Sequence, residues 1–145
     1  MIFPSPTTKI DPRLARGTFV GIEPATATRP AHAKITFPNT SYELHLVPAA
    51  PISTPEGKRI IGTIRAKARR IDTVGSGGRY VEPVAGRPRR VQGVVIAAES
   101  GEVIVDAGVP IRCTPTDPRQ SAEQFQPGQF VSFDVLDGAT FSPQG

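Results

Sequence analysis

RVQGVVIAAESGEVIVDAGVPIRC, residues 90–113, is the stretch on which the fold turns. Three short runs rich in Val and Ile, RVQGVVIAA, EVIV and VPIRC, are separated by ESG and DAG, which are turn-forming triplets. Each run is too short and too closely bounded for a helix, and β-branched residues dominate it, so the stretch reads as hairpin-linked strands. A fourth run follows at QFVSFDVL, where Val131, Phe133 and Val135 face one way and Ser132 and Asp134 the other. The connection between, TPTDPRQSAEQFQPG, holds one helical turn, with Ser121 as its N-cap and Phe125 as its apolar anchor. Pro127 and Gly128 stop it.

Upstream the same logic holds. AKITF sets Lys34 and Thr36 against Ile35 and Phe37, PNT turns the chain, and SYELHLV sets Tyr42, Leu44 and Leu46 against Ser41, Glu43 and His45. This is a second hairpin. Sixteen Pro and fourteen Gly are spread along the 145 residues as punctuation, which leaves little room for long helices. With 6% aromatic residues and no Trp, the core must be built mainly from Val, Ile, Leu, Ala and seven Phe.

The hairpin-linked strands, short helical turn and returning strand between roughly Arg90 and Phe141 resemble an OB-fold or a similar small barrel, at the level of pattern. That resemblance implies an all-β protein of small, barrel-like antiparallel sheets with one short helical turn. The N-terminal half echoes the plan, since GTFVGI answers QGVVIA. Two tandem OB-like halves are one reading, and a single merged β-domain of about ten strands is the other. The organisation expected is an N-terminal extension (1–13), a β half (14–74), a Gly/Arg-rich connection (75–89) and an OB-like β half (90–145).

Charge is distributed unevenly along this plan. The net charge of +4 hides +1 over residues 1–57, +8 over residues 58–90 and −5 over residues 91–145. If RIIGTIRAKARRI is a strand, Arg65, Lys67 and Arg69 project from one face, spaced about 6.5–7 Å apart, close to the spacing of successive phosphates along a nucleic-acid chain. Ile64, Ala68 and Ile71 also fit a helical stripe, but Gly62, Thr63 and the β-rich surroundings favour the strand. Arg70 follows at once; then VGSGGR brings Arg79 and Tyr80, whose ring could stack on a base, and GRPRR brings Arg87, Arg89 and Arg90. Between residues 58 and 90 Arg outnumbers Lys eight to two, which suits bidentate phosphate contacts. The nine candidate binding residues are therefore Arg65, Lys67, Arg69, Arg70, Arg79, Tyr80, Arg87, Arg89 and Arg90. The expected partner is RNA or single-stranded DNA. The alternatives are a protein partner or self-association through an acidic surface, and pairing of the strip with the acidic C-terminal segment of the same chain.

Catalytic signatures do not accompany the charge. His32 and His45 have no Cys or carboxylate at metal-ligand spacing, GSGG lacks the Gly-Lys-Ser/Thr ending of a P-loop, and Cys113 has no evident His partner. Glu99, Glu102, Asp106, Asp134 and Asp137 fall in or beside turns, where such residues have local uses. The expectation is a non-catalytic protein without metal or cofactor. A single Cys fits a reducing compartment, no run approaches the ~20 apolar residues of a membrane span, and MIFPSPTTKIDPR lacks the features of a signal peptide. A cytoplasmic location, with no membrane partner, follows as an expectation.

Overall fold

The computed structural model describes residues 11–144 and shows an all-β chain. Twelve strands form it: β1 (Ala15–Glu23), β2 (His32–Thr36), β3 (Glu43–Pro48), β4 (Arg59–Ala68), β5 (Asp72–Val74), β6 (Tyr80–Glu82), β7 (Ala85–Gly86), β8 (Arg90–Glu99), β9 (Glu102–Asp106), β10 (Pro110–Pro115), β11 (Phe130–Asp134) and β12 (Thr140–Pro143). One 3-10 turn spans Ala122–Gln124 between β10 and β11. There the Ser121 backbone N–H donates to Gln124 Oε1 at 2.9 Å, and Phe125 is buried below.

Alternation decides which faces are buried. Along β4, Ile60, Gly62, Ile64, Ala66 and Ala68 point inward while Arg59, Arg65 and Lys67 are exposed. On the β2–β3 hairpin Ile35, Leu44 and Leu46 are fully buried, with Lys34 opposite His45 on the outer face.

Strand order closes five of these strands into a barrel: β1–β2–β3–β12–β4, with β4 returning antiparallel to β1. β12 lies parallel to β3 and antiparallel to β4. A small closed five-stranded barrel with additional strands is consistent with an OB-like barrel. The sequence pattern had placed the resemblance at Arg90–Phe141, yet the ring that closes uses the N-terminal strands and borrows β12 from the chain end. The pairings that bring β12 there, parallel to β3 and antiparallel to β4, are non-local and leave no turn signature in the sequence.

The additional strands repeat the same order. β8, β9 and β10 form a meander, β11 returns antiparallel to β8, and β10 lies parallel to β4. β5, which follows β4 after three residues, pairs antiparallel with β11. β4 is thus the common spine: its first half closes the barrel against β1 and β12, and its second half carries the β8–β11 strands.

Tyr42 ties the two groups of strands together. Its hydroxyl donates to the Ala107 carbonyl at 2.9 Å and accepts the Val81 N–H at 3.0 Å. Burial raises its pKa above the ordinary phenol range. Gly108, at φ +95, lets the β9–β10 turn pass against the Tyr42 ring.

Candidate nucleic-acid interface

The outer face of β4 carries two of the expected cations side by side, Arg65 and Lys67, spaced as alternation requires. The strand expected to run on through Ile71 ends at Ala68, so Arg69, though exposed, lies in the bend beyond it. Their electrostatic surroundings differ sharply.

Arg65 donates its Nε–H to Glu102 Oε2 at 2.9 Å. Glu102, on β9, also accepts from Arg112 Nη1 at 3.2 Å, and Arg112 reaches Glu99 at 3.9 Å. Glu99 in turn takes Arg13 at 2.9 Å, and Arg13 contacts Asp11. Arg112 and Glu102 are the shielded centre of this network, with 15% and 13% of their side chains exposed.

Four more of the nine candidates are held in the same way. Arg70 meets Asp117 at 3.2 Å, Arg79 meets Asp106 at 3.4 Å, Arg87 meets Asp137 at 4.0 Å and Arg90 meets Asp134 at 2.7 Å. Arg90, beside the Tyr80 hydroxyl and the Asp134 carboxylate, has its pKa raised further. Tyr80 itself is half-buried and donates its hydroxyl proton to Gln92 Oε1 at 3.1 Å. The turn acids Glu99, Glu102, Asp106, Asp134 and Asp137 thus each face an arginine distant in the chain or on another strand, Glu102 and Asp134 from strand to strand and the others from loops or strand ends.

Lys67, Arg69 and Arg89 remain, with no carboxylate partner among the described residues. Backbone pairing gathers two of them: the Leu136 N–H donates to the Lys67 carbonyl and the Val135 N–H to the Arg89 carbonyl, both at 2.8 Å. Leu136 then lines a cavity of about 620 Å³ together with Arg69, Arg70, Arg90 and Arg119. Asp72, Asp117 and Asp134 share its rim, and Phe133 lies among the lining residues. This mouth sits where the ends of β4, β8, β10 and β11 converge.

Arg119 and Asp117 were not legible as site residues, because they come from the proline-rich connection after β10. Asp117 accepts from the Arg119 side chain and backbone N–H and from Arg70, which together hold its carboxyl well below the usual range. Cys113 is fully buried, and burial pushes its thiol pKa far up, so it is a core residue and a poor nucleophile. No group of three or more His, Cys, Asp or Glu suited to a metal ion occurs among the described residues. No helix there is long and apolar enough to cross a membrane.

No protein-family model matches the chain, and neither a curated protein nor a solved structure matches it.

Proposed function

We propose that this protein is a non-catalytic binder of single-stranded nucleic acid, RNA or DNA, which it holds through its phosphates. The observation that carries the reading is the set Lys67, Arg69 and Arg89, exposed cations without carboxylate partners among the described residues: Arg69 lines the mouth with Arg70, Arg90 and Arg119, and the backbone carbonyls of Lys67 and Arg89 bond the Val135 and Leu136 segment that leads into it. The binding surface is narrower than the nine-residue strip. Arg65 is engaged in the network around Glu102, while the mouth keeps cations available.

The ion pairs at Arg70, Arg79, Arg87 and Arg90 do not block this function. Their arginine side chains are 41–52% exposed, and exposed pairs contribute ~0–1 kcal/mol each, so a phosphate can take a carboxylate's place. The OB-like barrel adds support as a class that often binds oligonucleotides, by analogy of fold alone.

A second reading draws on those same pairs. Five candidate arginines already face carboxylates, which suits a module whose cations meet acidic protein surfaces, in this chain or a partner.

Fluorescence anisotropy with labelled single-stranded RNA and DNA, across a salt series, tests the first reading. The triple change Lys67→Gln, Arg69→Gln, Arg89→Gln should weaken binding to every sequence and lower the slope of log K against log salt by ~0.7 per lost contact. A parent that binds no nucleic acid at low salt would eliminate the reading and promote the interaction module.

A further inference from the structure

Three arginines outside the candidate strip also lack carboxylate partners among the described residues, Arg16, Arg29 and Arg59, and two of them, Arg16 on β1 and Arg59 on β4, share a pocket. The strands run antiparallel with Arg16 opposite Ile61 and Thr18 opposite Arg59. Arg16 and Arg59 are therefore diagonal neighbours on the outer face of the barrel. They line a cavity of about 420 Å³, within the ~300–1,000 Å³ range of small-molecule sites. Thr18 and Thr36 add hydroxyls to its lining, and Phe37, Pro38 and Ile60 supply apolar wall.

Two features separate this pocket from the mouth at the other end of β4. Its lining contains no carboxylate, whereas the mouth has three. Moreover, the Arg16 Nε–H is buried and has no hydrogen-bond acceptor. A buried guanidinium donor without an acceptor is unfavourable, so the Arg16 side chain would gain by turning toward an anion held in the pocket it lines.

We propose that this pocket binds a nucleotide unit, with its phosphate on Arg16 and Arg59 and its base against the Phe37 and Pro38 wall. Paired arginines suit a phosphate because their planar forks can each give two donors. Hydroxyls of Thr18 and Thr36 suit sugar or phosphate oxygens, and the apolar wall suits a planar ring. The proposal deepens the nucleic-acid reading and rests on it for one of two possible sources of that unit. Arg59 lies about 26 Å from Lys67 along the same exposed face of β4, so one strand could run from mouth to pocket. A free mononucleotide carries the same chemistry.

Calorimetric titration of the full chain with adenosine 5′-monophosphate, adenosine and inorganic phosphate tests the pocket directly. The monophosphate should bind once per chain and more tightly than adenosine. Arg59→Gln or Arg16→Gln should weaken it about tenfold or more, while Lys67→Gln with Arg69→Gln leaves it unchanged. Arg59 is exposed, so its variant carries the test if Arg16→Gln fails to fold. No uptake of the monophosphate at millimolar concentration, equal uptake of adenosine, or an unchanged affinity in Arg59→Gln would overturn the proposal.

Oligonucleotide titrations separate the two sources. If Arg59→Gln also weakens binding of a twelve-nucleotide strand, the pocket serves the strand; if it affects the monophosphate alone, the pocket serves free nucleotides. If the parent binds the monophosphate through Arg59 but binds no strand, the pocket stands and the nucleic-acid reading falls. If strand binding depends on Lys67 and Arg69 while Arg59→Gln alters neither ligand, the pocket falls and that reading stands.

Discussion

Arg65 and Glu102 lie 2.9 Å apart although they belong to strands that are not neighbours, β4 and β9, with β10 between them. Arg112 on that intervening strand stands opposite Arg65 in register and gives its own bond to the second oxygen of Glu102. One carboxylate thereby bridges two arginines and offsets part of their mutual repulsion across a parallel pair.

Glu102→Gln should consequently destabilise the fold. The centre of the network is largely shielded from solvent, so removing its charge leaves Arg112 with only the 3.9 Å contact to Glu99. A loss of ~1–3 kcal/mol is expected, seen as a melting temperature lower by several degrees. An unchanged melting temperature would mean that the network contributes nothing to stability.

Closure of the barrel depends on Gly62, where β4 meets β12. A Cβ there would collide with the Ser142 carbonyl oxygen and the Phe141 ring. Gly62→Ala should cost ~1–3 kcal/mol or more, because backbone and a buried aromatic must both shift. Gly75→Ala, with nothing within 4 Å of the new methyl, serves as the control and should melt close to the parent. Equal melting temperatures for the two variants would contradict the close β4–β12 approach.

What the sequence disclosed about this fold was its local part. Period-two alternation and turn residues located the β2–β3 hairpin, the strands β8 to β11 and the turn after Ser121, because each is specified by neighbours within a few residues. The pairings of β3 with β12 and β4 with β10 were hidden, since parallel partners lie far apart in the chain and Thr140–Pro143 is too short to show a period. The site suffered in the same way. Composition revealed the cations but not their partners, because the Arg65–Glu102 bond spans 37 residues and exists only once the register of three strands is set. Arg16 and Arg59 read as ordinary charges until β1 and β4 were paired.

The loop VGSGGR should resist protease in the free protein, despite three glycines within four residues. Gln92, buried on β8, donates its side-chain amide to the Ser76 carbonyl at 3.4 Å and the Gly78 carbonyl at 3.1 Å, and Arg79 reaches Asp106. Gln92→Ala removes both anchors. Trypsin should then cut after Arg79 well before it cuts elsewhere in the interior, whereas the parent should be cut there slowly. Rapid cleavage of the parent at Arg79 would show that the anchors do not hold the loop.

Asp117 sets a pH dependence with a definite sign. Arg119 and, to a smaller degree, Arg70 depress its carboxyl pKa below that of an unfolded Asp. A depressed acid contributes stability above its unfolded pKa, ~3.9, and loses that contribution as pH falls toward the folded value. Asp117→Asn should accordingly melt below the parent at pH 6, and the gap should narrow as pH is lowered through the carboxylate range. A gap of constant size from pH 6 to pH 3 would assign the effect to packing instead of charge.

Asp134 provides the sharpest distinction between a strip that binds phosphate and one that is only solvated. It holds Arg90 at 2.7 Å on the rim of the mouth, yet its own side chain is 82% exposed, so it competes for the cation while adding little to the fold. If phosphates bind at Arg90, they must displace this carboxylate, and Asp134→Asn removes both the competitor and a repulsive charge. Affinity for single-stranded RNA or DNA should rise about two- to fivefold, the equivalent of ~0.4–1 kcal/mol expected for an exposed pair. The gain should shrink as salt is raised, because screening weakens the carboxylate's hold on Arg90 in the parent as well. The melting temperature should barely move. A partner protein with an acidic surface would also bind the variant more tightly, but it would do so with no effect on nucleic acid. Should Asp134→Asn leave nucleic-acid affinity unchanged at low salt while the triple change at Lys67, Arg69 and Arg89 lowers it, the strand passes the mouth without touching Arg90.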